Sequence, residues 1–250
     1  IKGRAPKTGE IFTNPNLGRV FRELASGGPE AFYSGKSGLA IAKVLQELGG
    51  TMTKNDLTTH RSSFEDPIST TYRNYQVYEC APNGQGLTAL IALNIVEGYD
   101  LGSMDRLSAK YLHLLIEAVR LAFADTRWYV ADPEHVTIPV NDLLSKDYAA
   151  KRRKLIESER TIVDPKIGSP VLTGDTAYIS VVDKNGNACS FICSNYMGFG
   201  TGIIPQECGF SLQNRGAGFQ LDPDHPNALG PGKRPYHTII PAMSTHENGE

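Results

Sequence analysis

Hydrophobic positions recur at helical spacing over the first 156 residues and at strand spacing after residue 176. Asn14 followed by Pro15 is typical of a helix start, and the Gly27-Gly28 pair is typical of a helix end. The same signals predict further helices over residues 41–48, 87–96, 107–124 and 145–156, and a short helix capped by Thr53. The first part of the chain is therefore expected to be mostly helical.

Alternating residues predict one strand from Thr71 to Tyr78, and others over 177–182, 188–194, 209–213 and 239–244. The Asp183–Asn187 stretch is typical of a hairpin turn. A three-residue loop, Lys184–Gly186, pairs Thr176 with Ser194, whereas a two-residue loop pairs Thr176 with Asn195. The pattern alone leaves both registers open.

Residues 157–172 lose periodicity and gain charge, proline and glycine, which predicts a mobile linker between the helical and the strand-forming parts. The linker leads through Thr173–Ala177 into the first strand of the hairpin. Thr176 by itself is most simply a β-forming residue at a strand start. A functional junction at this position needs further support.

Composition and charge exclude several classes of protein. The chain has 250 residues, 40% hydrophobic and 21% charged, and 25 Lys and Arg stand against 27 Asp and Glu. This balance excludes a disordered tail and favours neither a nucleic-acid nor a membrane partner. The 4 cysteines form no C-x-x-C pair, so no metal site is expected. A small-molecule ligand is the expected partner.

Several segments resemble the gamma-glutamyltranspeptidase, or glutathione hydrolase, family of the N-terminal-nucleophile hydrolases. The resemblance covers essentially the whole chain. It rests on Gly28–Tyr33, Pro67–Ser69, Tyr75–Tyr78, Glu117–Asp125, Asp175–Asp183, Phe199–Gly202, Asn214, Asn227–Pro235 and Pro241. It implies an α+β fold, the four-layer αββα sandwich, of which this chain is a part.

The resemblance also implies self-processing between Asp175 and Thr176. Residues 1–175 would then be the C-terminal part of a large subunit, and residues 176–250 the start of a small subunit that stays associated with it. Thr176 would be the catalytic nucleophile. The family keeps a hydroxyl residue at the position of Ser194, where it assists the nucleophile, and this favours the three-residue loop. We also expect that the processed protein can assemble as a homodimer.

The substrate-binding positions implied by the resemblance are Tyr196, Asn214, Arg215, His237 and Thr238. Members that act on glutamyl groups have Asn at the position of Tyr196, an acidic or amide residue and an Asp at Arg215 and Gly218, and a serine pair at His237-Thr238. An Arg and a Gly cannot accept the ammonium group of a glutamyl substrate. Arg215 instead favours an anionic acyl group of the glutaryl type, as in the cephalosporin-acylase-like branch, or is a surface or salt-bridging residue.

The function expected from the resemblance is hydrolysis or transfer of a gamma-glutamyl or glutaryl-type amide, without a cofactor. The family's carboxylate-binding Arg and oxyanion-binding Gly-Gly pair are expected outside these 250 residues. Two alternatives remain open. One is a non-catalytic homologue that acts as a binding or assembly subunit, and the other is a metallohydrolase that uses Asp222, Asp224 and His225.

Overall fold

The computed structural model describes residues 4–163, 165, 176–246 and 248. It contains helices and strands in an order close to that predicted. The helices are α1 Pro15–Tyr33, α2 Lys36–Glu47, α3 Lys54–Thr58, α4 Gly86–Val96, α5 Ala109–Tyr129, α6 Val140–Leu143 and α7 Lys146–Arg153, with 3-10 helices at Leu101–Ser103 and Arg215–Gly218. The strands are β1 Ile68–Tyr72, β2 Tyr75–Glu79, β3 Thr176–Val182, β4 Ala188–Ser194 and β5 Met243–His246.

One compact unit comprises Ile1–Ser63 and Phe199–Gln213. In this unit the Asn14 side chain caps α1 by accepting a 3.1 Å hydrogen bond from the Leu17 amide. The predicted helix end at Gly27-Gly28 agrees with the structure, because Gly28, with a φ of 63°, is not helical and divides α1 into two helical stretches. The glycine absorbs the break, Pro29 follows it, and a second helical stretch, which the sequence did not predict, continues to Tyr33.

The second compact unit comprises Phe64–Gly198 and Asn214–Glu250, and α4 lies at its core. Helix α4 is mostly apolar and nearly all of its residues are buried, which is the pattern of a central helix. It packs against α5, whose buried face includes Leu114, Ala118 and Leu121. The start of α4 therefore has a fixed position, and the turn before it, residues 81–85, contributes to the candidate site.

Strands β1, β2 and β5 form an antiparallel sheet in the second unit. The single strand predicted from Thr71 to Tyr78 is wrong, since Arg73, with a φ of 54°, forms a turn that separates β1 from β2. Strand β5 is shorter than the predicted 239–244 strand and lies later, pairing Tyr75 with His246.

The strand predicted over residues 209–213 is not formed. This stretch instead makes isolated backbone hydrogen bonds with residues 201–203, including Leu212 N–H to the Ile203 carbonyl at 2.9 Å. Alternation of polar and apolar residues was not sufficient to form a strand here. The glycines at 200, 202 and 209 all have positive φ and prevent an extended ladder of hydrogen bonds.

Strands β3 and β4 form a separate two-stranded sheet whose register runs from Thr176 opposite Ser194 to Val182 opposite Ala188. The Asp183 N–H donates to the Asn187 carbonyl at 2.9 Å, and Gly186 takes the left-handed conformation with a φ of 84°. The loop is therefore the three-residue Lys184–Gly186 loop. The alternative register, with Asn195 opposite Thr176, is wrong.

The predicted cleavage junction lies only partly within the described residues. Thr176 is described, but Asp175 and half of the 157–172 linker lie outside the described ranges, so the division into subunits at 175/176 stays a prediction. Among the described residues no helix is long and apolar enough to cross a membrane.

Candidate active site

The first residue pair of the β3–β4 hairpin brings two hydroxyl groups together. Thr176 Oγ1 donates a hydrogen bond to Ser194 Oγ at 3.0 Å. Ser194 Oγ also accepts a 3.0 Å hydrogen bond from the Tyr196 N–H. Thr176 is exposed to solvent, so its hydroxyl is accessible to a substrate. Because the Ser194 oxygen is fixed by a backbone amide, it can hold the Thr176 hydroxyl in one direction.

Tyr196 occupies a conformation that is unusual for a side chain of its size. Its φ is 80°, in the left-handed region. Non-glycine residues in this region carry backbone strain and are concentrated at functional sites. Here the conformation turns the Tyr196 N–H toward Ser194, and the Tyr196 ring lies 4.5 Å from the guanidinium carbon of Arg215. One residue thus contacts both the hydroxyl pair and the predicted acyl-binding residue.

Asn214 fixes the segment that follows Ser194. Its side-chain oxygen accepts a 3.1 Å hydrogen bond from the Met197 N–H, and its backbone N–H donates to the Asn195 carbonyl at 3.2 Å. Asn214 also immediately precedes the 3-10 helix that begins at Arg215. The asparagine therefore ties the residues after β4 to the residue that was predicted to bind the acyl group.

Arg215 is a buried cation, with only 5% of its surface exposed. Its guanidinium donates to the Thr238 hydroxyl and stacks on the Tyr196 ring. Burial lowers the pKa of Arg215 from its ordinary value, but an arginine side chain stays protonated at neutral pH. The site therefore contains a fixed positive charge close to two polar hydroxyl-bearing residues.

His237 lies beside this cation. Burial, reinforced by the positive charge of Arg215, lowers the pKa of His237 to about 4. The imidazole is therefore neutral at neutral pH. Its Nδ1 atom accepts a 3.4 Å hydrogen bond from the Ile239 N–H, which leaves Nε2 as the protonated nitrogen. His237 and Thr238 can thus offer donors to an anion without adding a second charge.

Gly218 has little room for a side chain. A Cβ atom added there would lie 3.1 Å from the carbonyl oxygen of Tyr236, closer than an ordinary contact. The carboxylate expected at this position in glutamyl-transferring members would therefore require the neighbouring backbone to move. The site lacks this acceptor for an ammonium group.

Asn83 and Gln85 also belong to the site, although neither was predicted to be a site residue. Asn83 Nδ2 donates to the Pro235 carbonyl at 2.6 Å, and Gln85 Nε2 donates to the Thr238 carbonyl at 2.9 Å. Two amide side chains in one short turn before a buried helix are a signal that could have pointed to them, because such groups need partners when half-buried.

The residues of the metallohydrolase alternative form a turn. Asp222 accepts hydrogen bonds from the Asp224 N–H at 3.0 Å and the His225 N–H at 3.2 Å. The His225 Nδ1 atom accepts from the Asn227 N–H, and its ring packs on Trp128. Within the described part of the chain, no group of three or more His, Cys, Asp or Glu residues is arranged to bind a metal ion.

The structure therefore brings together most of the residues predicted from the sequence. Thr176 contacts Ser194, Ser194 contacts Tyr196, Tyr196 contacts Arg215, and Arg215 contacts Thr238 and lies near His237; Asn214 ties the two segments together. Asp175 is outside the described residues. The arrangement suits a hydroxyl nucleophile at one end and an anionic acyl group at the other.

Several known proteins are similar to this chain. A family model for gamma-glutamyltranspeptidase matches residues 1–250. The chain is 41% identical, over 242 residues, to a glutathione hydrolase-like proenzyme of Bacillus subtilis, covering 97% of this chain and 45% of the relative. It is 35% identical, over 249 residues, to an oxamate amidohydrolase proenzyme of Klebsiella pneumoniae, covering 100% of this chain and 46% of the relative. The chain thus spans about half the length of these curated relatives.

Solved structures of known enzymes are also similar to this chain. The chain is similar to the cephalosporin acylase of Bacillus halodurans with a TM-score of 0.85 and 42% sequence identity, over 99% of this chain and 45% of the acylase. It is similar to the gamma-glutamyltranspeptidase of Helicobacter pylori with a TM-score of 0.57 and 27% identity, over 65% of this chain and 49% of that protein. The α+β fold class expected from the sequence is confirmed by these neighbours.

Proposed function

Because the chain belongs to the gamma-glutamyltranspeptidase family, we propose that the complete protein is a self-processing amidohydrolase whose nucleophile is Thr176. The observation that carries the proposal is the 3.0 Å hydrogen bond between the Thr176 and Ser194 hydroxyls at the first pair of the β3–β4 hairpin. Related chains named as proenzymes support the processing step.

Processing would use the Thr176 hydroxyl as the nucleophile. Its oxygen attacks the carbonyl carbon of residue 175, the peptide C–N bond breaks, and the threonine nitrogen takes up the proton and becomes an amine. The resulting ester is then hydrolysed by water, which leaves a carboxyl group on Asp175 and a free α-amino group on Thr176. Ser194 is placed to orient the attacking oxygen.

Turnover would use the same oxygen with the new amine as its base. An α-amino group has a pKa of about 8, so a substantial fraction is neutral and able to accept the hydroxyl proton at physiological pH. The Thr176 oxygen attacks the substrate amide, the proton passes to the leaving amine, and an acyl ester remains on Thr176. Water or a second amine then attacks the ester and releases the acyl group.

The pocket favours an acyl group that is anionic and lacks an α-amino group. Arg215 provides the buried positive charge, and Thr238 and the neutral His237 lie next to it. Gly218 cannot supply the carboxylate that would hold an ammonium group. Glutaryl-type amides fit this description. Oxamate, the substrate named for one relative, is also an anionic amide without an amine on its acyl part.

Processing is tested by expressing the full-length protein and separating the products by denaturing electrophoresis. The wild type should give two bands whose junction, by mass spectrometry, is Thr176. Thr176→Ala should give one band, and Thr59→Ala, at the exposed threonine that follows α3 as its C-cap, should give two as the matched control. A single uncut band from the wild type would contradict the proposal and favour a non-catalytic binding subunit.

Substrate preference is tested separately with paired anilides. The processed wild type should hydrolyse glutaryl p-nitroanilide with a higher kcat/KM than gamma-glutamyl p-nitroanilide, which differs only by the α-amino group. A higher kcat/KM for the gamma-glutamyl compound would overturn the assignment of the acyl group while leaving the nucleophile assignment intact.

A further inference from the structure

A five-residue stretch after the predicted cleavage point is held by residues that precede it. We call residues 234–238 the pocket segment, since it contains His237 and Thr238. Asp132 Oδ2 accepts a 2.7 Å hydrogen bond from the Arg234 N–H. Asn83 Nδ2 donates to the Pro235 carbonyl at 2.6 Å, and the Asn83 carbonyl accepts from the His237 N–H at 2.9 Å. After processing, all of these contacts would join two separate chains.

Gln85 makes more contacts with the pocket segment than a turn residue requires. Its backbone N–H donates to the His237 carbonyl at 2.8 Å. Its side-chain nitrogen donates to the Thr238 carbonyl at 2.9 Å, and its side-chain oxygen accepts from the Tyr236 hydroxyl at 3.2 Å. Both ends of one amide are therefore used, on the two sides of His237, which fixes the orientation of the side chain.

The Tyr236 hydroxyl that meets Gln85 lies in a buried polar cluster. It hydrogen-bonds Thr88 and Thr126, whose hydroxyls are 2.7 Å apart and whose residues are buried in α4 and α5. Burial raises the pKa of Tyr236, so this residue remains a neutral donor. Gln85 thus connects the pocket segment to the core of the helical part of the chain.

We propose that Gln85 is a positioning residue that sets the acyl-binding end of the pocket. By fixing the Thr238 backbone, it holds the Thr238 hydroxyl where it accepts from Arg215, and so fixes the guanidinium. The proposal rests on the proposed function. According to this proposal, Gln85 of the predicted large subunit positions Thr238 and Arg215 of the predicted small subunit.

The geometry predicts an effect that depends on the substrate. Loss of the Gln85 side-chain bonds frees Thr238 and Arg215 but leaves Thr176 and Ser194 in their own hairpin. Recognition of an acyl carboxylate should therefore weaken more than attack on the amide. An individual hydrogen bond of this kind corresponds to about a five- to tenfold change in an equilibrium constant.

Two variants separate the contacts. Gln85→Met keeps the length of the side chain and removes both hydrogen bonds. Gln85→Glu keeps the acceptor for the Tyr236 hydroxyl and removes the donor to the Thr238 carbonyl. Gln76→Met is the matched control, because Gln76 is a hydrogen-bonded glutamine of β2 that bonds Ser69 and none of the site residues.

The experiment uses the processed full-length protein and two substrates, glutaryl p-nitroanilide and uncharged butyryl p-nitroanilide. We expect both Gln85 variants to be processed, KM for the glutaryl compound to rise about tenfold, and kcat/KM for the butyryl compound to change less than about threefold. Gln76→Met should match the wild type. An equal loss on both substrates, or no loss on either, would overturn the positioning role.

Hydrogen exchange gives a readout that does not depend on activity. The amides of His237 and Ile239 should exchange faster in Gln85→Met than in the wild type, whereas those of β3 and β4 should not change. Unchanged exchange in residues 234–239 would overturn the proposal even in an active enzyme. Failure of the wild type to cleave itself would instead contradict the proposed function, so the two outcomes are distinguishable.

Discussion

The hydroxyl of Thr176 donates to the hydroxyl of Ser194 at 3.0 Å, and these two residues are also the first pair of the β3–β4 register. The contact therefore follows from the hairpin itself. Asp183 fixes the loop by accepting hydrogen bonds from the Asn185 and Asn187 amides, and Gly186 supplies the left-handed residue. A turn at one end of the sheet thus determines which hydroxyl faces the nucleophile at the other end.

Ser194→Ala is expected to lower kcat of the processed protein by about tenfold or more, because Thr176 loses its hydrogen-bond acceptor and the Tyr196 amide loses its partner. Ser194→Thr keeps the hydroxyl and should retain most of the activity. Single-turnover kinetics on glutaryl p-nitroanilide measure the acylation step directly. Equal rates for Ser194→Ala and the wild type would contradict the role of Ser194.

Arg215→Met is expected to raise KM for glutaryl p-nitroanilide by about 10- to 100-fold, because hydrogen bonds to a charged group contribute about 1.5–3 kcal/mol. Methionine keeps much of the apolar volume against the Tyr196 ring while removing the charge. The butyryl compound, which has no carboxylate, serves as the internal control. A KM that rises equally for both compounds would indicate that Arg215 is a salt-bridging residue and not an acyl-binding one.

Much of the fold could be predicted from local signals in the sequence. Asn14-Pro15 and Thr53 start helices as expected, and the apolar stripe of α5 lies on the core. Prediction of the hairpin register required the turn residues and, in addition, the hydroxyl residue that the family keeps at the position of Ser194. The errors occurred where a residue with positive φ changed the chain direction, as at Arg73 and Gly209, because spacing patterns do not encode φ.

The candidate site was only partly predictable. The hydroxyl pair followed from strand register, but the contact between Arg215 and Thr238 joins residues 23 positions apart through irregular backbone. Gln85 meets Thr238 across 153 positions. No periodicity relates such positions, so these contacts depend on how the core places the start of α4. The roles assigned to the predicted site residues stay predictions.

Glu79→Gln is expected to stabilise the protein at pH 8 by about 1–3 kcal/mol. Glu79 is 3% exposed, and in the described part of the chain its Oε2 atom has no hydrogen-bond partner, so burial raises its pKa to about 7. The folded-state pKa exceeds that of the unfolded chain. The stabilising contribution of Glu79 is therefore complete below about pH 4.5 and is lost as the pH rises through 7.

The stability of Glu79→Gln is measured by urea unfolding of the full-length protein at pH 5 and pH 8. The difference between variant and wild type should be small at pH 5 and should grow toward pH 8. A constant difference at both pH values would show that Glu79 does not titrate in this range. Glu47→Gln, on an exposed face of α2, is the control for a simple change of net charge.

His237→Gln is expected to reduce the acid sensitivity of the protein. Burial and the Arg215 charge lower the folded-state pKa of His237 to about 4, below the ordinary value of 6.5. The unfolded chain then binds the proton more readily between these values. The stabilising contribution is therefore complete above about pH 6.5 and is lost as the pH falls through 4, with a total of about 1–3 kcal/mol. Glutamine does not titrate, so the variant lacks this loss.

Urea unfolding at pH 7 and pH 4.5 tests the sign of the His237 effect. The wild type should lose more stability than His237→Gln over this interval, because protonation would put a second positive charge beside Arg215. The Glu79 contribution has the opposite sign over the same interval, but both proteins contain Glu79, so this contribution cancels in the difference between them. Identical losses in the two proteins would mean that His237 is accessible enough to protonate in the folded state.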